Sequence, residues 1–83
     1  MVSIEFTVHA LRDLQRLDPS ISKRVIEKIY WLQQNFDVLL PAHLHHDRRE
    51  QYKLRIGNYR AVYSINGNTI TIETVDHRRD VYK

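Results

Sequence analysis

Cysteine is absent from the 83 residues, so neither a disulfide framework nor a thiolate zinc site can hold the chain together. Burial of apolar side chains has to do that work. In so short a chain this implies modest stability unless a partner adds to it. No apolar run approaches the length of a bilayer span and no charged-then-apolar leader opens the chain, so a cytoplasmic protein is expected. Linkers, internal repeats and low-complexity tracts are also missing, and one domain over residues 1–83 is expected. Glycine is scarce: its two occurrences fall in turn sequences, Gly57-Asn58 and Asn66-Gly67.

The residues that are present read as globular, with 42% hydrophobic and 28% charged, which argues against wholesale disorder. The net charge of +3 hides an asymmetry. Residues 1–47 carry five Lys/Arg against six Asp/Glu, and residues 48–83 carry eight against four. All the positive excess lies in the second half. An anionic partner for one face follows, with nucleic acid the first candidate.

The order of elements reads strand, two helices, polar connection, three strands. Ser3-Ile4-Glu5-Phe6 alternates as a half-buried strand does. Thr7 can cap a first helix carrying Val8, Leu11, Leu14 and Leu17. Asp18-Pro19 opens a second, with Ile21, Val25, Ile29, Leu32 and Phe36 on one side and Asn35 as its stop. After a polar stretch from His43 to Glu50 the period changes to two: Tyr52, Leu54 and Ile56 face one way, Lys53 and Arg55 the other.

Taking the two glycine-containing pairs as hairpin turns fixes a register. Ile56 then faces Tyr59, Arg55 faces Arg60 and Leu54 faces Ala61. Across the second turn Tyr63 faces Ile70, Ala61 faces Ile72 and Arg60 faces Glu73. Leu54, Ala61, Tyr63, Ile70 and Ile72 share one face, ready to meet the helices. The expected fold is α+β: an antiparallel sheet made of a three-stranded meander with the N-terminal strand added at an edge, and a helical hairpin packed on one face.

The opposite face carries the chemistry. Arg55 and Arg60 stand across from each other with Lys53 along the same strand, and like charges so placed weaken a ladder. A solvated basic face, its Arg stems covering apolar surface, would contain the same residues. The sharper reading is a phosphate site, where fork-shaped guanidiniums on a rigid sheet make bidentate contacts. The C-terminus adds His77, Arg78, Arg79, Tyr82 and Lys83, and strand order returns it beside Arg60. Cleavage of RNA needs little more, because the ribose 2′-hydroxyl is the nucleophile. The protein must orient it, move two protons and stabilise a dianionic phosphorane, which Lys and Arg can do without a metal or other cofactor.

The run Tyr52-Lys53-Leu54-Arg55-Ile56-Gly57-Asn58-Tyr59-Arg60-Ala61-Val62-Tyr63-Ser64-Ile65, with His77-Arg78-Arg79-Asp80-Val81-Tyr82, resembles the RelE/ParE toxin superfamily. Phe6-Thr7, Ala10-Leu11, Asp13-Leu14 and Leu17 are similar to its N-terminal part. The resemblance implies a toxin held by a cognate RelB-like antitoxin, and ribosome-dependent cleavage of mRNA in the A site. It makes Lys53 and Arg55 the basic strand pair and Arg60 the phosphate-binding Arg. Arg78 becomes the residue for charge stabilisation or leaving-group protonation, and Tyr82 the residue that stacks on the base. Arg79 and Lys83 are expected to be further RNA contacts.

Some members carry Lys where this chain has Arg55. Arg hardly deprotonates, so the proton acceptor falls to Lys53 or His77. A ParE-like gyrase inhibitor shares the expected fold, and an inactive member that only binds antitoxin or RNA is the other alternative. His43, His45 and His46 with Asp47 match no regular ligand spacing, and no metal is expected. Tyr30 and Trp31 are expected to flank the core, partly buried. Arg12, Arg16, Lys23, Arg24 and Lys28 are expected on solvated helix faces.

Overall fold

In the computed structural model the described residues are 2–36 and 51–77. They form β1 (Ser3–Phe6), α1 (Val8–Arg16), α2 (Pro19–Gln34), β2 (Tyr52–Ile56), β3 (Tyr59–Asn66) and β4 (Thr69–His77). The polar stretch with His43, His45, His46 and Asp47 lies outside the described residues, as do Arg78, Arg79, Tyr82 and Lys83. No helix among the described residues is long and apolar enough to cross a membrane.

The strands lie in the order β1-β4-β3-β2, with α1 over β4 and α2 over β2. The meander is antiparallel as expected. The N-terminal strand does join an edge, but it runs parallel to β4, so the sheet is mixed rather than antiparallel throughout. Parallel neighbours need a crossover, and the helical hairpin supplies its first part.

Thr7 starts α1 and fastens it to the sheet. Its Oγ1 accepts the Ala10 N–H at 3.0 Å and donates to the Glu73 carbonyl at 2.8 Å. Asp13 makes the second fastening, its Oδ2 accepting the Val75 N–H at 2.9 Å. These two contacts turn the face of α1 holding Ala10, Asp13 and Leu14 toward β4, with Ala10 small enough for close approach. Val8 and Leu11, expected in the apolar stripe, are consequently 66% and 47% exposed. In α2 the expected stripe holds: Val25, Ile29, Leu32 and Phe36 are buried, and Ile21 packs against them. Pro19 sits at the helix start behind Asp18, whose carbonyl rather than carboxylate takes the first N–H groups, those of Ile21 and Ser22. Ser22 Oγ donates to the Leu14 carbonyl at 2.9 Å and ties the helices together. Tyr30 and Trp31 are exposed rather than flanking the core, and Lys28 Nζ stacks 3.8 Å above the Trp31 ring.

Both turns place glycine first. Gly57 and Gly67 have φ of +58° and +60°, and no other described residue adopts positive φ. This satisfies a type II′ turn, which needs only its first central residue there. The first hairpin has the expected register, Arg55 opposite Arg60. The second turn is Gly67-Asn68 rather than Asn66-Gly67, so Asn66 faces Thr69, Ile65 faces Ile70 and Tyr63 faces Ile72. A slip of two residues preserves the faces, which is why Tyr63, Ile70 and Ile72 still point to the helices.

A bulge between Val62 and Tyr63 then moves the pairing one residue further, so Ala61 faces Val75 and Arg60 faces Asp76. The expected Arg60–Glu73 pair does not form; Glu73 instead accepts the Ser64 hydroxyl at 2.8 Å.

Ile29 is fully buried between helix and sheet. Ile29→Ala is expected to lower the free energy of urea unfolding by about 2–5 kcal/mol, and Thr7→Ala by about 1–2 kcal/mol through loss of the cap. Tyr63 stacks on Tyr52 at 5.6 Å, and burial, then the neighbouring Tyr52 phenol, raise its pKa above the usual 10.0. The fold favours the protonated phenol, so this contribution is present below the unfolded pKa and lost as the pH rises through the folded one. Alkaline absorbance titration should show a late tyrosine that Tyr63→Phe removes.

Candidate functional site

Strand alternation sends Lys53 and Arg55 out of β2 on the face away from the helices, and Arg60 out of β3 on the same face. Lys53 and Arg55 are exposed and form no ion pair among the described residues. Arg60 is the guarded member. Its side chain is only 17% exposed, and its Nη2 donates to Asp76 Oδ2 at 3.2 Å. Asp76 thus offsets the repulsion between Arg55 and Arg60 that the first hairpin imposes. Arg60 Nε is buried and has no hydrogen-bond partner among the described residues. An unmet donor of this kind costs about 1–3 kcal/mol, a reservoir that an incoming acceptor would release.

A cavity of about 510 Å³ opens at this point, lined by Asp13, Arg16, Leu17, Arg60, Val75, Asp76 and His77. Arg60 therefore belongs both to the outer basic row and to the cavity. His77 ends β4 opposite Tyr59, its ring edge-on to the phenol at 4.8 Å. Asp13, whose Oδ2 also lies 3.0 Å from His9 Nδ1, is held in the cavity wall by its bond to β4.

The structure accordingly brings Arg55, Arg60 and His77 to one end of the sheet, with Lys53 next along β2 facing Val62. Arg78, Arg79, Tyr82 and Lys83 fall beyond the described residues. Two features escaped the sequence reading. Asp76 was hidden because the bulge that aligns it with Arg60 has no local sequence signal. Arg16 and Asp13 were hidden because helical periodicity assigns faces within a helix, not the strand end that the helix covers.

The family model for the ParE toxin of type II toxin–antitoxin systems, parDE, matches residues 4–82. Toxin RelG of Mycobacterium tuberculosis is 31% identical, the match covering 98% of this chain and 95% of that protein. Toxin RelE3 of Methanocaldococcus jannaschii is 29% identical, with 98% and 96% covered. Among solved structures, the toxin–antitoxin complex RelBE2 from Mycobacterium tuberculosis superposes with a TM-score of 0.72 at 33% identity, covering 93% of this chain and 98% of that one. The family model and these relatives run almost end to end along the chain, which belongs to the RelE/ParE superfamily of toxins from type II toxin–antitoxin systems.

Proposed function

We propose that this toxin is an endoribonuclease that cuts mRNA in the ribosomal A site and so stops translation. The observation that carries the reading is the Arg55–Arg60 pair: two guanidiniums forced across one ladder, with Lys53 beside them and one buried donor of Arg60 unmet among the described residues. Such an arrangement is costly to the free protein and suited to a phosphodiester.

In this mechanism the 2′-hydroxyl attacks the adjacent phosphorus and the 5′-oxygen leaves. Arg60 binds the scissile phosphate, with Asp76 holding the guanidinium in place. Arg55 stabilises the charge that develops on the phosphorane, and Arg78 either shares that role or protonates the leaving oxygen. Lys53 or His77 accepts the hydroxyl proton, and Tyr82 stacks on the base. Arg79 and Lys83 hold flanking RNA. Guanidinium and ammonium groups supply the charge that a metal would otherwise bring. The partners are the ribosome with its mRNA, and a RelB-like antitoxin, in keeping with the toxin–antitoxin complex of the mycobacterial neighbour. The site of action is the cytoplasm.

A second reading, inhibition of DNA gyrase, draws on the match to the ParE family model. An in vitro translation reaction separates the two. Cleavage within the A-site codon, seen only with ribosomes present, is the expected result. Intact mRNA together with inhibited gyrase supercoiling would assign the ParE activity instead, and neither effect would point to a member that only binds.

Arg60→Ala and Arg78→Ala should each slow cleavage by about 10²-fold or more and abolish toxicity in cells lacking antitoxin. Full toxicity of both variants would remove them from the phosphate site. Tyr82→Phe should be nearly neutral and Tyr82→Ala not, if the ring acts by stacking. The proton acceptor is read from pH–rate profiles of His77→Gln and Lys53→Met: the variant that loses the acidic limb identifies the base.

A further inference from the structure

The cavity between the end of α1 and the end of β4 differs chemically from the basic row beside it. Arg16 and Arg60 contribute two positive charges to its lining, and Asp13 and Asp76 two negative ones. Leu17 and Val75 provide apolar wall and His77 an imidazole ring. A phosphate entering it would gain no net charge attraction and would meet two carboxylates. A neutral, flat heterocycle with donors and acceptors on its edge fits all of these groups: apolar and imidazole surface for the ring, guanidinium and carboxylate for the edge. The volume of about 510 Å³ lies within the ~300–1,000 Å³ of small-ligand sites.

We propose that this cavity is a nucleobase subsite, with Arg16 of α1 as its recognition residue. The inference rests on the reading of the protein as an RNA-binding nuclease, and deepens it by separating base from phosphate. Arg60 is the hinge between the two, lining the cavity while standing opposite Arg55 in the outer row. Because Arg60 lines the cavity, a phosphate held on Arg60 lies against the cavity wall. Two of the polar groups are already fixed, Asp13 by the Val75 N–H and Asp76 by Arg60. Arg16 is exposed in the last turn of α1 and has no ion pair among the described residues, so its guanidinium is available to a ligand edge.

The test uses purified toxin and short single-stranded RNAs methylated at the 2′-oxygens, which cannot be cleaved, carrying each of the four bases or an abasic unit at the central position. Fluorescence anisotropy should show the preferred base binding about tenfold more tightly than the abasic unit, the scale of one stacked and hydrogen-bonded base. Arg16→Ala should shrink that difference to within about twofold and leave abasic binding unchanged, because Arg16 contacts the base and not the backbone. Its thermal melt, which should match the parent, controls for folding. Three outcomes would overturn the subsite: base-independent binding by the parent, an equal loss on all oligonucleotides in Arg16→Ala, or an intact base preference in that variant. Failure of the parent to bind any oligonucleotide would also overturn it. The nuclease reading would still stand or fall on ribosomal cleavage, which does not require affinity for free RNA.

Discussion

The bulge between Val62 and Tyr63 decides which side chains at the end of β4 meet the helices and which meet the basic strands. With one extra residue on β4, Val75 turns inward to the core and Asp76 turns outward to Arg60. Without it the faces would exchange, a valine would sit beside Arg60 and an aspartate would be buried under α1. The helical hairpin depends on the same geometry. Asp13 takes the Val75 N–H and Thr7 gives a hydrogen bond to the Glu73 carbonyl, both on the stretch of β4 beyond its pairing with β1. Edge groups left open by the short first strand are thus satisfied by α1 rather than by water or another chain.

Electrostatic strain and the proposed phosphate site are coupled through that alignment. The Gly57-Asn58 turn obliges Arg55 and Arg60 to face each other, which disfavours the free sheet. Asp76 offsets part of the repulsion from one side only, and Arg55 stays exposed. What results is a cationic row that is stable enough to fold yet unsaturated toward an anion. Arg60 is the most constrained of its members, since it is largely buried, paired through one nitrogen and, among the described residues, unmet at another. A site arranged in this way is preorganised for a ligand at some cost to stability, as functional sites commonly are.

Much of this molecule was legible in its residues. Short-range rules gave the cap at Thr7, the Asp18-Pro19 restart, the stripe of α2 and the first hairpin, because each depends on neighbours in sequence. The outward basic set Lys53, Arg55 and Arg60 followed from the period of two and one turn. Parity protected the apolar face even where the second turn was misplaced by a residue: sliding the turn moved partners by two and left Ile70 and Ile72 inside.

Interactions between distant segments were decided by tertiary structure alone. Val8 and Leu11 continue the apolar pattern of α1, yet Thr7 and Asp13 anchor the helix on its other side and leave them in solvent. Asp76, not Glu73, meets Arg60 because a bulge consumes one residue of β4, a stretch whose backbone Thr7 and Asp13 bond from the other end of the chain. Arg16 and Asp13 reach the end of β4 because the helix is laid across it, some sixty residues away in the chain for the Asp13–Val75 bond. Periodicity and turn chemistry constrain each element and its faces; which residue of one element touches which residue of another depends on how the whole core closes.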